Sequence, residues 1–122
     1  MAFQIKCFSK ERDEISFQSL DHEICSLWHI EPNVGGDHDY WATPPPRDNC
    51  LMESWHEFLA TLIYFSMEKS GEVSASYLLD FYLHDKSSCP QFIDYIKYDI
   101  YYLSLLMYLT SRRMYFTVQY SL

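Results

Sequence analysis

His22, Cys25 and His29 stand at i, i+3 and i+7, which places three potential zinc ligands near one face of a helix. Asp37 and His38 follow in sequence and supply candidate fourth ligands. The bland alternative is a half-buried helix whose cysteine packs as a small hydrophobe with histidines at its edge. Structural zinc sites seldom hang three ligands on one helix, so the packing reading is preferred and no metal is expected. His22-Glu23 also opens an HExxH-like string, but Ser26 occupies the position of the second histidine, which excludes a zincin. Cys50 or Cys89 with His56 or His84 would make a thiol–imidazole pair, yet no local nucleophile signature surrounds any of them. The only glycines are Gly35, Gly36 and Gly71, so neither a phosphate-binding loop nor a dinucleotide fingerprint is present. The residues point to no catalytic group and no cofactor.

The binding chemistry is better represented. Eleven tyrosines accompany a net charge of −8 in 122 residues. Tyrosine offers a large, rigid and amphipathic contact area, and an acidic field repels nucleic acid and anionic membrane while steering toward basic partners. The charge is local: residues 17–57 hold eight acids against Arg47, a net of −7, while residues 1–16 balance. Asp37, Asp39, Tyr40, Trp41 and Asp48 lie in that segment beside Pro44-Pro45-Pro46, which favours a stiff extended stretch. With Glu31, Glu53 and Glu57 they form the expected partner-binding set; a merely solvated acidic surface is the plain alternative.

The elements that position these residues follow from periodicity. Phe3 to Phe8 alternates as a strand, and Met114 to Tyr120 returns to β-rich residues, so the two ends are candidates to pair. Leu20, Ile24, Leu27 and Trp28 form a helical stripe, with Ser19 as its expected N-cap and Pro32 and Gly35-Gly36 beyond its end. Leu51 to Ser70 reads as a central helix with Trp55, Phe58, Leu59, Leu62 and Ile63 inward. A short helix follows, capped by Ser74 or Ser76. Cys89-Pro90 then opens a last helix whose expected buried stripe is Phe92, Ile93, Ile96, Ile100, Leu103 and Met107. Tyr95, Tyr98, Tyr101, Tyr102 and Tyr108 are then left partly outside it. The reading is one domain over 1–122, α+β and mainly helical, with about four helices and short terminal strands. Four scattered cysteines without CxxC spacing, no apolar signal segment in Met1 to Phe8, and no run long enough to span a bilayer lead to the expectation of a cytoplasmic protein with reduced thiols.

Leu20-Asp21-His22-Glu23-Ile24-Cys25, then Ile30-Glu31-Pro32-Asn33, then Ser54-Trp55-His56-Glu57-Phe58 together resemble small acidic proteins encoded by phages and mobile elements. The resemblance covers about half the chain. It implies an inhibitor of anti-CRISPR or anti-restriction type, whose acidic surface occupies a basic nucleic-acid-binding groove of a host defence complex, with no membrane and no direct nucleic-acid contact. An immunity protein that neutralises a toxin nuclease follows the same electrostatic logic. A small metal-dependent enzyme built on His22, Cys25, His29 and the Asp37-His38-Asp39 segment is the reading from a different class.

Overall fold

The computed structural model describes residues 2–29 and 51–121. The chain folds as an α+β protein, with five helices packed on a four-stranded antiparallel sheet. Strand β1 (Ala2–Phe8) pairs along its whole length with β4 (Tyr115–Ser121), from Ala2 opposite Ser121 to Phe8 opposite Tyr115. The two terminal strands therefore do pair, as alternation suggested. Two shorter strands, β2 (Glu14–Ile15) and β3 (Gly71–Ser74), flank them and give the order β2-β1-β4-β3. Both escape a reading by periodicity, because two to four residues carry too little alternation. Cys7, Val73, Phe116 and Val118 point into the core, whereas Gln4, Lys6, Glu72 and Gln119 lie exposed on the other face.

Helix α1 (Phe17–His29) begins earlier than the apolar stripe indicates. Ser16, rather than Ser19, closes its first turn: the Ser19 N–H donates to Ser16 Oγ at 3.1 Å and the Leu20 N–H to the Ser16 carbonyl at 3.0 Å. Helix α2 (Leu51–Ser66) stops before the turn at Met67 to Ser70. Helix α3 (Ala75–Asp85) is capped by Ser74, whose Oγ accepts from the Tyr77 N–H at 3.1 Å.

The expected last helix is broken. A 3-10 turn at Pro90–Phe92 leads into one turn of helix, α4 (Ile93–Ile96), then a turn at Lys97 and Tyr98, then α5 (Asp99–Ser111). Its end is a Schellman motif, with Arg113 in the left-handed region at φ 53° and the Met114 N–H bonded to the Leu109 carbonyl at 3.1 Å.

The expected buried stripe is inverted. Ile93, Ile96, Ile100 and Met107 are 59%, 36%, 51% and 60% exposed, and Leu103 is only half-buried; of that set Phe92 alone is fully inside. Tyr95, Tyr101, Tyr102, Leu105, Leu106 and Leu109 are buried instead. The reason lies in what the rings meet. Phe58 of α2 is surrounded by Tyr82, Tyr95 and Tyr102, with ring centroids 5.3, 5.2 and 4.3 Å away. Such aromatic pairs contribute about 0.5–1.5 kcal/mol beyond area burial. The Tyr82 hydroxyl donates to Asp99 Oδ1 at 2.6 Å and the Tyr95 hydroxyl lies 3.4 Å from Thr61 Oγ1, so for these two the usual argument for leaving tyrosine at the rim loses its force.

Trp55, Phe58 and Leu62 share this core as the helical spacing of α2 requires, while Ile96 and Ile100 do not. Leu62→Ala should therefore lower unfolding stability by about 2–5 kcal/mol, and Ile100→Ala by no more than about 0.5 kcal/mol. Denaturant unfolding of both variants, at low protein concentration, checks the inversion directly.

Candidate interaction surface

Acidic side chains here divide into those spent on the fold and those left for a partner. Asp21 and Glu23 belong to the first group. The indole N–H of fully buried Trp55 donates to Asp21 Oδ1 at 2.6 Å, which ties α2 to α1. The Tyr108 hydroxyl donates to Glu23 Oε1 at 2.6 Å, and Arg112 pairs with the same carboxylate, which ties α5 to α1. Asp99 repeats the pattern, taking the Tyr82 hydroxyl at 2.6 Å and Lys86 Nζ at 2.8 Å and so tying α3 to α5. Hydrogen bonds to a charged acceptor are stronger than neutral ones, and each of these joins two helices. Burial and the Asp99 carboxylate also push the Tyr82 phenol far above its ordinary range, so it stays a donor at every working pH.

Of the expected partner-binding residues, Glu57 is exposed on α2. Glu53 stands in the first turn of that helix, with its side chain outside the described ones. Glu31, Asp37, Asp39, Tyr40, Trp41 and Asp48 lie outside the described residues. In sequence, residues 31–57 carry six acids against Arg47, a net of −5, while Asp21 and Glu23 upstream are committed to helix contacts.

The catalytic constellations read from sequence do not assemble among the described residues. No group of three or more His, Cys, Asp or Glu is placed there to hold a metal. His22 is exposed on α1; the side chains of Cys25 and His29 and all of Asp37 and His38 fall outside the description. Cys7 is fully buried in the sheet, and burial, reinforced by the Glu23 charge and opposed by Arg112, pushes its thiol up to about 12. A thiol held that far above neutral pH is no nucleophile. Cys89 is half-buried. His84 Nδ1 lies 2.8 Å from the Asp80 carbonyl and forms an ion pair with the Asp80 carboxylate at 3.4 Å. His56 is wedged between Phe17 and Trp55, with ring centroids 4.6 and 5.7 Å away. Two open grooves, of about 530 and 600 Å³, flank the Met67 to Ser70 turn, and neither is lined by a histidine or a cysteine. No helix among the described residues is long and apolar enough to cross a membrane.

The surface that sequence reasoning missed is the uncovered aliphatic face of α4 and α5. Its signal was present: Asp99–Ser111 has apolar residues on every side, and a helix apolar all round has more than one face to cover. A comparison with protein-family models, curated proteins and solved structures gives no match.

Two expectations follow. Asp21→Ala strands the buried Trp55 N–H and should cost about 1–3 kcal/mol, read by denaturant unfolding. Burial lowers the His56 pKa below its ordinary 6.5, so below that pH the unfolded chain takes up a proton that the folded chain resists. Stability should therefore fall as pH drops below about 6.5, and His56→Phe, which keeps the ring contacts, should flatten that part of the pH–stability curve. His84 is shifted upward by its Asp80 contacts and acts in the opposite sense, so the comparison is made in a His84→Gln background.

Proposed function

We propose that this chain is a non-enzymatic, cytoplasmic inhibitor that binds a basic, nucleic-acid-binding surface of a host defence protein or ribonucleoprotein complex. The observation that carries the reading is the residual charge of residues 31–57. The sequence sets six carboxylates against one arginine there, Asp21 and Glu23 upstream being taken up as helix ties. Carboxylates accept charge-assisted hydrogen bonds from arginine and lysine much as phosphate oxygens do, so an acidic segment can occupy a channel built for nucleic acid. Tyr40 and Trp41 stand among the acids in sequence. A large aromatic at the centre of such a contact is the usual source of its slow dissociation.

Capture from a host lysate followed by mass spectrometry names the partner, and kinetics with the purified partner then test the reading. Reversing charge with Asp37→Lys plus Asp39→Lys should slow association by roughly tenfold or more at low salt and flatten its salt dependence. Trp41→Ala should act mainly on dissociation, at a cost of about 2 kcal/mol. An oligonucleotide that binds the partner should compete with the parent protein. If both variants bind like the parent at low and moderate salt, the acidic segment is only a solvated surface and the reading fails.

A further inference from the structure

Aromatic side chains also gather away from the core, where α2 ends against the sheet. Tyr64 and Phe65, in the last turn of α2, are 50% and 40% exposed. Their rings stand at 89° with centroids 5.0 Å apart, so they form adjoining walls rather than a stacked plate. Tyr120 of β4 adds a third wall, and all three line the groove of about 600 Å³ beside the Met67 to Ser70 turn. The fold holds these walls in place. Phe3 packs on both Tyr64 and Tyr120, at 6.1 and 5.2 Å between centroids, and Phe92 packs on Phe65 at 6.2 Å. The Tyr120 hydroxyl donates to the Met67 carbonyl and the Tyr120 N–H to Ser70 Oγ, both at 2.9 Å. Exposed Glu68 and Lys69 line the same groove. Elsewhere the chain seats its own cations on its rings: Arg12 lies 5.0 Å over Tyr115, Lys86 5.0 Å over Tyr82, and Arg112 5.7 Å over Tyr108. Among the described residues no cation lies over Tyr64, Phe65 or Tyr120, and Glu68 makes no ion pair.

We infer that this groove binds a methylated ammonium group, of the kind that choline or a trimethylated lysine carries. Aromatic faces bear the negative end of the ring quadrupole, so walls at an angle to one another attract a cation placed between them. Glu68 supplies a carboxylate beside the rings, and a chain of net −8 raises the local concentration of cations. The degree of methylation follows from hydration. A primary ammonium entering an aromatic groove gives up strong hydrogen bonds to water, and one carboxylate replaces few of them. A trimethylammonium group carries the same charge on an apolar surface, so it gives up little. The groove falls within the size range of small-ligand sites, about 300–1,000 Å³. Lys69 works against the bound cation, which keeps the site weak, with Kd on the order of 1 mM.

Titration of the full chain with choline, followed by proton NMR, tests this, because methyl groups seated over rings shift upfield. The neutral isostere of choline, with carbon in place of nitrogen, should bind roughly tenfold more weakly, since it meets the same walls without the charge. Tyr64→Leu and Phe65→Leu keep apolar bulk but remove a ring, and each should weaken choline binding roughly three- to tenfold with circular dichroism unchanged. Glu68→Gln should weaken binding and Lys69→Gln should strengthen it, by roughly threefold each. A peptide carrying trimethyllysine separates the two sources of the group. Tighter binding than choline assigns the site to a methylated side chain of a partner, and equal or weaker binding assigns it to a free cation. Equal binding of choline and its neutral isostere, no shift with choline at about 100 mM, or leucine variants that bind like the parent would overturn the inference. None of these measurements involves residues 31–57, so this site and the proposed inhibitor activity stand or fall separately.

Discussion

Burying tyrosine rings obliges a fold to supply acceptors for their hydroxyls, and much of this structure follows from meeting that need. Phe58 gathers Tyr82, Tyr95 and Tyr102 around it, and the phenols need oxygen atoms at the boundary of the core. Asp99 serves Tyr82, Glu23 serves Tyr108, and the Met67 carbonyl serves Tyr120 at 2.9 Å. Asp21 does the same for the Trp55 indole. Because each acceptor sits on a different element from its donor, satisfying the aromatics also fixes how the elements sit on one another. An unmet buried donor costs about 1–3 kcal/mol, so these contacts specify the arrangement more than they add to its stability.

The same requirement decides which acids remain outside. A count of charge along the chain treats Asp21 and Glu23 as equals of Asp37 and Asp39. The fold does not, because Asp21 and Glu23 are helix ties, whereas Asp37 and Asp39 lie outside the described residues. Lys86 and Arg112 are likewise absorbed beside Asp99 and Glu23. These ties take three carboxylates and two of the chain's nine cations, so the rest of the chain keeps a net charge of −7.

The legible part of the fold was the part carried by backbone alternation and by aliphatic residues on a single face. Strand β1, strand β4 and the inward face of α2 could be read from residue type and spacing, as could the chance that the strands pair, while the cap was narrowed to Ser74 or Ser76. The start of α1 was misplaced because Ser16 and Ser19 offer the same chemistry and only the backbone geometry chooses between them. Inversion of α5 had a deeper cause. Its tyrosines Tyr101 and Tyr102 share the buried side with Leu105, Leu106 and Leu109, and hydropathy ranks isoleucine above tyrosine without knowing which rings the core will surround. As for the candidate site, the excess of acid was visible in sequence, but its division into structural and available carboxylates needed three-dimensional contacts between residues 34 and 85 positions apart.

A helix that turns tyrosines and leucines inward and leaves Ile100 and Met107 outward ends with two surfaces of different character. The inner one is directional, because hydroxyl and carboxylate geometry must match. The outer one is non-directional, and its specificity comes only from spacing and shape. The acidic segment adds a third mode, long in range and screened by salt. The ties made by Trp55 and Tyr82 are part-buried, where water competes less than it does at the exposed Arg12–Glu72 pair. Outward contacts would then rest on apolar matching on one helix face and, under the proposed function, on charge in one segment. Salt strengthens the first and weakens the second. Under the proposed function, raising ionic strength would therefore weaken contact with a basic partner while leaving apolar contacts intact.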